Sequence, residues 1–442
     1  MDADEDKRGG SPLPQDRLPE PAGTPFRLLE GVRVLDLTTS IAGPYATMLL
    51  GDYGAEVIKV ERPGLGDDAR HWGPPFLDGC SLWFLSVNRN KQSLALDYAK
   101  PEGHALLLDL VRRCDVVVLN QVPRLQRKLR TDAATLQAAR PDLIHVSVTG
   151  FGLTGERADL PCYDLIAEGL SGVMDLTGEI ENDPQKVGTP AADLLAGMDA
   201  AMATLAALLE RQRTGRGHRI DVSLVESMTR FMTPRLVPYL GSGELMRRSG
   251  AKDSVIAIYQ VFRTADEPMT LAIGNDAIWR RFCAALDRPD WPGRHPTNVD
   301  RRAVRAELAA AIQAILETRP RAHWLALFGE HGVPAGPIQR LDEVASDPEL
   351  LARGLLSRLP GAAGRDIPQV GTGVRIDGGA GAARTPPPGL AEHGRAVLNS
   401  LLQMGDDAIA RLETAGILGR PADGQGARVP GQPEGARGRR TG

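Results

Sequence analysis

Aromatic residues are scarce in this chain of 442 residues: Phe, Trp and Tyr together make up 4%. Its core must therefore be filled by Leu, Val, Ile and Ala. Cysteine is scarcer still. Cys80, Cys114, Cys162 and Cys283 lie far apart, form no CxxC pair and have no histidine cluster beside them. That argues against a structural zinc site or any other metal, and it fits a reducing, cytoplasmic setting. Charge of one sign is also lacking. The 52 Lys and Arg against 56 Asp and Glu leave a net charge of −4, which gives no electrostatic case for nucleic acid. No apolar run is read as a membrane span. The opening Met1-Asp2-Ala3-Asp4-Glu5-Asp6 carries acid where a secretory or organelle leader would carry base, so no leader is expected.

What is present is the composition of a globular protein, 42% hydrophobic and 24% charged. Length allows two or three domains. Residues 1–27 and 419–442 are rich in Pro, Gly and charge and read as disordered tails. Between them, Val32–Leu37, Ala55–Val60, Asp115–Leu119 and Leu143–Val148 have strand character. Helical stretches alternate with them, near Tyr45–Tyr53, Pro101–Arg113 and Asp132–Arg140, with Pro44 suited to a first helical position. Alternating β and α units predict a parallel, Rossmann-like sheet covered by helices. A long helix follows at Ala191–Arg213, then a strand ending at Ser223 and a helix Leu224–Tyr239. The texture then changes to short antiparallel strands, Ser254–Phe262 and Met269–Ile273, with helices near Ala277–Leu286, Arg302–Thr318 and Ala322–His331. The expected organisation is a large α/β domain begun by 28–242, a small α+β domain at 243–335, and a return to the large domain at 336–418. In that return, Val333–Ile338 is a stiff connector and Ala391–Ala415 a closing helical segment.

A βαβ unit ending in Glu61 suggests a dinucleotide site. Its first turn, however, reads Ala42-Gly43-Pro44 and lacks the glycines that admit a pyrophosphate. The sharper candidate is Asp193, in Val187-Gly188-Thr189-Pro190-Ala191-Ala192-Asp193. A carboxylate at the head of a long Ala-rich helix meets free N–H groups and the positive end of the dipole. It can be a nucleophile or simply a cap.

Several blocks, in order, resemble the family III CoA-transferases. They are Leu29–Asp36, Ile41–Pro44, Gly51–Glu61, Asn88–Leu94, Gly150–Gly155, Tyr163-Asp164 and Thr214–Gly217. Gly66–Phe76, Ser86–Lys91, Gly332–Ile338 and Pro386–Pro388 resemble the branch that uses succinyl-CoA and dicarboxylic acids. The resemblance implies that Asp193 is the nucleophile, passing through an aspartyl anhydride and an aspartyl-CoA thioester. It implies that Arg62, Leu96, Asp97, Tyr98, Asn120, Gln121 and Lys128 contact CoA. It places Tyr163 and Asp164 beside the reacting thioester, and Ile41 and Ala42 along the acyl pocket. It also implies coenzyme A as a substrate with no permanently bound cofactor, and two chains interlocked as a homodimer.

The chain departs from the family in places. Leu119-Asn120-Gln121-Val122-Pro123-Arg124 lacks the aromatic and the glycine of the adenine slot, and the small domain has Asp253 near a usual His and Ile258 at a usual Pro. Two rivals follow: a 2-methylacyl-CoA racemase, and an inactive CoA-binding scaffold. Racemisation needs two acid–base groups about the α-carbon, and Tyr163 stands where a racemase carries His, which favours transfer.

Overall fold

The structure is a computed structural model that describes residues 17–361 and 365–421. Most of both expected tails lies outside the described residues. Within them, residues 17–27 are tied to the fold. Thr24 bridges Gly381, and Phe26 is buried and stacks on Tyr53.

The chain divides into two compact units. The larger takes the described residues up to Glu168, Thr189–Phe231 and those from Ala345 onward; the smaller takes Gly169–Gly188 and Met232–Val344. The sequence placed the smaller domain at 243–335, so it begins earlier and also claims a segment from before the long helix.

Six parallel strands form the sheet of the larger unit: β1 Arg33–Asp36, β2 Glu56–Glu61, β3 Lys91–Ala95, β4 Val116–Leu119, β5 Ile144–Thr149 and β6 Arg219–Ser223. Their order across the sheet is β3-β2-β1-β4-β5-β6. This is the doubly wound order, whose switch point lies between β1 and β4 and opens a crevice at the carboxyl ends of the strands. Strands β4 and β5 are buried throughout, as a sheet covered on both faces requires. The sequence reading missed β3 because Lys91-Gln92-Ser93 is polar. Lys91 is nonetheless fully buried, since a carboxylate waits for it inside.

The helices that matter most in this unit are α1 Ala42–Asp52, α2 Pro101–Val111, α3 Asp164–Ser171, α4 Ala191–Thr214 and α5 Leu224–Phe231. Pro44 is the third residue of α1 and not the first. No helical hydrogen bond is lost, because the first four N–H groups of a helix have no partner within it. The helix expected at Leu224–Tyr239 breaks at Met232, and Pro234 opens a second one, α6 Thr233–Ser242. By length and composition α4 could cross a membrane, with a mean hydropathy of 1.5 over 18 residues; the sequence reading had registered no such run. One face of it is core, with Ala192, Ala196, Gly197, Ala200, Ala201 and Thr204 buried, while Met198, Met202 and Leu209 are exposed. Gly197 is required there, since a Cβ would stand 2.7 Å from the Ala42 carbonyl and 3.0 Å from the Tyr45 ring. Its absence lets α4 lie directly on α1.

Leu356–Leu359 pairs antiparallel with Ile367–Val370, and the closing segment is two helices, Gly394–Leu402 and Asp406–Thr414, broken where Gln403 turns left-handed. In the smaller unit, β7 Tyr259–Phe262, β8 Met269–Ala272 and β9 Ala335–Pro337 form an antiparallel sheet in the order β9-β8-β7. The expected connector is thus partly an edge strand, a position that tolerates its prolines. Helices Asp276–Ala285, Arg305–Leu316 and Arg321–Glu330 supply the core around Trp279, Phe282, Ile312 and Phe328.

Candidate active site

The first loop after β1, Thr38–Gly43, sits at the switch point and is pinned from below by charges. Asp36 accepts hydrogen bonds from Thr38, from Thr47 and from the Lys91 ammonium at 3.0 Å. Lys91 also donates to the Pro44 carbonyl and to Asn88. Lys59 donates to the Thr38 carbonyl and pairs with Asp67 at 2.8 Å, while Asp67 accepts from the N–H of Ser40. Burial alone would push Asp36 up, but Lys91 and Lys59 outweigh it and hold the carboxyl at about 2. Burial in turn draws Lys91 down to about 8 against the pull of Asp36. Arg89 and Asn90 clamp Asp52 at the end of α1, so both ends of that helix are fixed. Glu61 is taken by a buried pair with Arg70 at 2.7 Å, leaving no carboxylate for a ribose.

Sequence reasoning assigned no role to Asp36, Lys59, Asp67 or Lys91. A signal was available: a lone charge inside an apolar strand covered on both faces, as at Asp36 and Lys59, needs a buried partner.

Across the switch point, Asn120 closes a two-way bond with Thr39. Its oxygen accepts from the Thr39 N–H at 3.1 Å and its amide donates to the Thr39 carbonyl at 2.8 Å. Gln121 donates to the Tyr98 hydroxyl at 2.8 Å and accepts from Thr131 at 2.7 Å. Tyr98 and Asp97 follow β3, and Asp97 bonds the N–H of Ala99. Leu96 is 1% exposed, with its N–H bonded to the Glu61 carbonyl, so it is held inside the fold. Arg62 follows β2, exposed and paired with Asp68. Lys128 is exposed on a short helix, Pro123–Leu129. The expected CoA-contact residues therefore gather at the carboxyl ends of β2, β3 and β4, where a doubly wound sheet binds ligands.

Asp193 is the third residue of α4 and half-buried. It is not the cap. Pro190 holds the cap position without a side-chain bond, and Asp164 supplies the missing acceptor: one oxygen takes the N–H of Ala192 at 2.8 Å and that of Asp193 at 3.3 Å. The N–H groups expected to favour the Asp193 anion are thus occupied by another carboxylate. Burial first, and the Asp164 charge second, push Asp193 up to about 7. The neighbouring residue Leu194 packs against a cluster of Ile41, Met48 and Val87 with Tyr45 and Trp72, so Ile41 and the head of α4 share one apolar wall. Cys162 lies close enough that the Asp193 charge adds to burial in pushing its thiol up to about 11, which makes it inert as a nucleophile near neutral pH. Tyr163 is 65% exposed, its ring in the open. The loop before it is compact: a Cβ on Gly150 would stand 2.1 Å from that of Cys162. In the smaller unit, Asp253 caps the N–H groups of Val255 and Ile256 and pairs with Arg235, and Ile258 is core.

A half-buried carboxylate beside an apolar wall, at the crevice of a doubly wound sheet, suits covalent acyl transfer. The chain matches the model of CoA-transferase family III over residues 29–394. It is a CoA-transferase and belongs to that family. It is 38% identical to the succinyl-CoA:glutarate CoA-transferase of Mus musculus over 392 residues, covering 88% of this chain and 90% of that one. It is also 38% identical to the succinate–glutarate CoA-transferase of Agrobacterium fabrum, covering 84% and 95%. Among solved structures, a CaiB/BaiF family protein from Brucella suis superposes with a TM-score of 0.75 at 36% identity, covering 86% of this chain and all of the other. These relatives favour transfer over the racemase and scaffold alternatives.

Proposed function

We propose that this enzyme moves CoA from an acyl-CoA, succinyl-CoA in the first instance, to a small dicarboxylic acid such as glutarate, with Asp193 as nucleophile. The observation that carries the proposal is the state of Asp193: half-buried, beside the Ile41–Leu194 wall, with only burial and a like charge acting on its carboxyl. The activities named for the relatives support the substrate class.

The Asp193 carboxylate attacks the donor thioester carbonyl. The C–S bond breaks, CoA leaves as thiolate, and a mixed anhydride remains. The thiolate attacks the aspartyl carbonyl, releases the donor acid and leaves an aspartyl-CoA thioester. The acceptor carboxylate then displaces CoA to form a second anhydride. Attack of the thiolate on its acyl carbonyl yields the new acyl-CoA and frees Asp193. Apolar Ile41 and Leu194 keep water from intermediates that would hydrolyse. Lys128 and Arg62 serve the phosphates, and Asn120, Gln121, Asp97 and Tyr98 line the nucleotide end. Tyr163 and Asp164 stand at the acyl end with Ala42. No resident cofactor takes part.

In the same reading the enzyme works in the cytoplasm, as its four free cysteines suggest, and as an interlocked homodimer. Leu240 and Leu245, 71% and 74% exposed, support an apolar interface.

The test is intact-protein mass spectrometry after incubation with succinyl-CoA, with hydroxylamine trapping to locate the modified carboxyl. An adduct on the wild type that is missing from Asp193→Ala supports the proposal. CoA binding without an adduct from several acyl-CoAs overturns it.

A further inference from the structure

Asp164 was expected beside the thioester as a substrate contact, yet its carboxylate is engaged with the protein. One of its oxygens takes two of the N–H groups in the first turn of α4, those of Ala192 and Asp193. The residue at the cap position, Pro190, has no side-chain acceptor to offer them. Asp164 comes from 29 residues upstream of Asp193, on α3, so the bond is a tertiary clamp and not a local cap.

We propose that Asp164 is a positioning residue for the transfer reaction, one that clamps the first turn of α4 and places a fixed negative charge beside Asp193. This rests on Asp193 being the nucleophile. The clamp has two effects. It holds the Asp193 backbone nitrogen, so the carboxyl can move only about its own side-chain bonds. It also cancels the positive end of the α4 dipole, which would otherwise make Asp193 a weaker base and a poorer nucleophile.

Among the described residues, burial and the Asp164 charge are what act on the Asp193 carboxyl. Asp164 stands on α3. The Cys162 thiol, in the loop before it, stays neutral near pH 7. Tyr45 of α1, packed against Gly197, is held above its ordinary value by burial and is neutral too. A more basic carboxylate attacks the donor thioester better and is slower to return from the tetrahedral intermediate, which favours loss of the thiolate in that first step.

Asp164→Asn separates position from charge, because the amide oxygen can accept the same two bonds. The acid limb of the kcat–pH profile is expected to move down by roughly one pH unit, with kcat at its plateau reduced. Asp164→Ala removes both functions and is expected to lower kcat further, along with Tm. A second measurement is independent of turnover. Asp193→Asn should raise Tm at pH 8.5 in the wild-type background, and by a smaller amount in the Asp164→Asn background, where the burial part of the penalty remains. An unmoved acid limb together with an unchanged Tm gain would leave Asp164 a plain cap and overturn the proposal. If the wild type transfers no CoA at all, the functional reading fails by itself, and the Tm comparison still decides the role of Asp164.

Discussion

Replacing Asp193 by Asn should make the protein more stable at alkaline pH. The side chains have nearly the same shape, and only the charge is lost. In the fold the carboxyl is pushed from an ordinary 3.8 up to about 7, first by burial and then by Asp164. A raised value in the folded state stabilises the fold below the unfolded value, and that contribution is lost as pH rises through 7. At pH 4 wild type and Asn variant should therefore unfold alike. Above pH 8 the wild type carries the full penalty of a charge held in an unfavourable place. A shift of about three units at 1.36 kcal/mol each gives about 4 kcal/mol as a ceiling. Asp193 is half-buried and water screens part of the charge, so a gain of about 1–2 kcal/mol is the expectation. At roughly 2 °C per kcal/mol for a unit of this size, Tm should rise by about 2–4 °C. Scanning calorimetry from pH 4.5 to 8.5 reads the difference directly. An Asn variant no more stable than wild type at pH 8.5, or a gap of constant size across the range, would refute the reasoning.

Other outcomes follow from the same geometry. Lys91→Met strands the buried Asp36 carboxylate and should cost about 3–5 kcal/mol; an unchanged urea midpoint would contradict the network. Gly197→Ala drives a Cβ to 2.7 Å from the Ala42 carbonyl, whereas Gly188→Ala meets nothing within 4 Å. The first should cost about 1–3 kcal/mol and reduce kcat by shifting the Ile41 loop, while equal effects of the two would refute the close packing of α4 on α1. Lys128→Ala should raise KM for acyl-CoA and weaken its dependence on salt, with stability changed by less than about 0.5 kcal/mol. An unaltered KM would remove Lys128 from the CoA site. Activity of the wild type should rise as pH increases through about 7, because the Asp193 carboxylate is the reactive form; a profile flat from pH 5.5 to 8 would count against Asp193 as nucleophile.

Much of this was legible in the sequence because period and apolar content decide it. Four of the central strands and the long helix α4 lie within a residue or two of their expected limits. What was not legible depends on partners distant along the chain. Lys91 reads as a surface residue until Asp36 is placed against it from 55 positions away. Asp193 by its own window reads as a nucleophile or a cap, until Asp164 is found on the N–H groups of that helix end. The break at Met232 was hidden because Leu224–Tyr239 keeps its helical pattern across Pro234. The placing of Arg62, Tyr98, Gln121 and Asn120 at the carboxyl ends of neighbouring strands follows from strand order, which local patterns do not encode.

The charged lattice under the first loop also bears on how far such a sequence can be interpreted. Asn88, Arg89, Asn90 and Lys91 spend their side chains on the fold, answering to Asp36, Asp52 and Phe84. A change at any one leaves a charge or an amide stranded in the interior, so these positions can drift only together. They are hence a reliable badge of ancestry and a mute witness to chemistry. Two enzymes could share every letter of that block and still prefer different acids. The apolar wall of Ile41, Trp72 and Leu194 is under no such constraint: there a side chain can be exchanged without orphaning an ion.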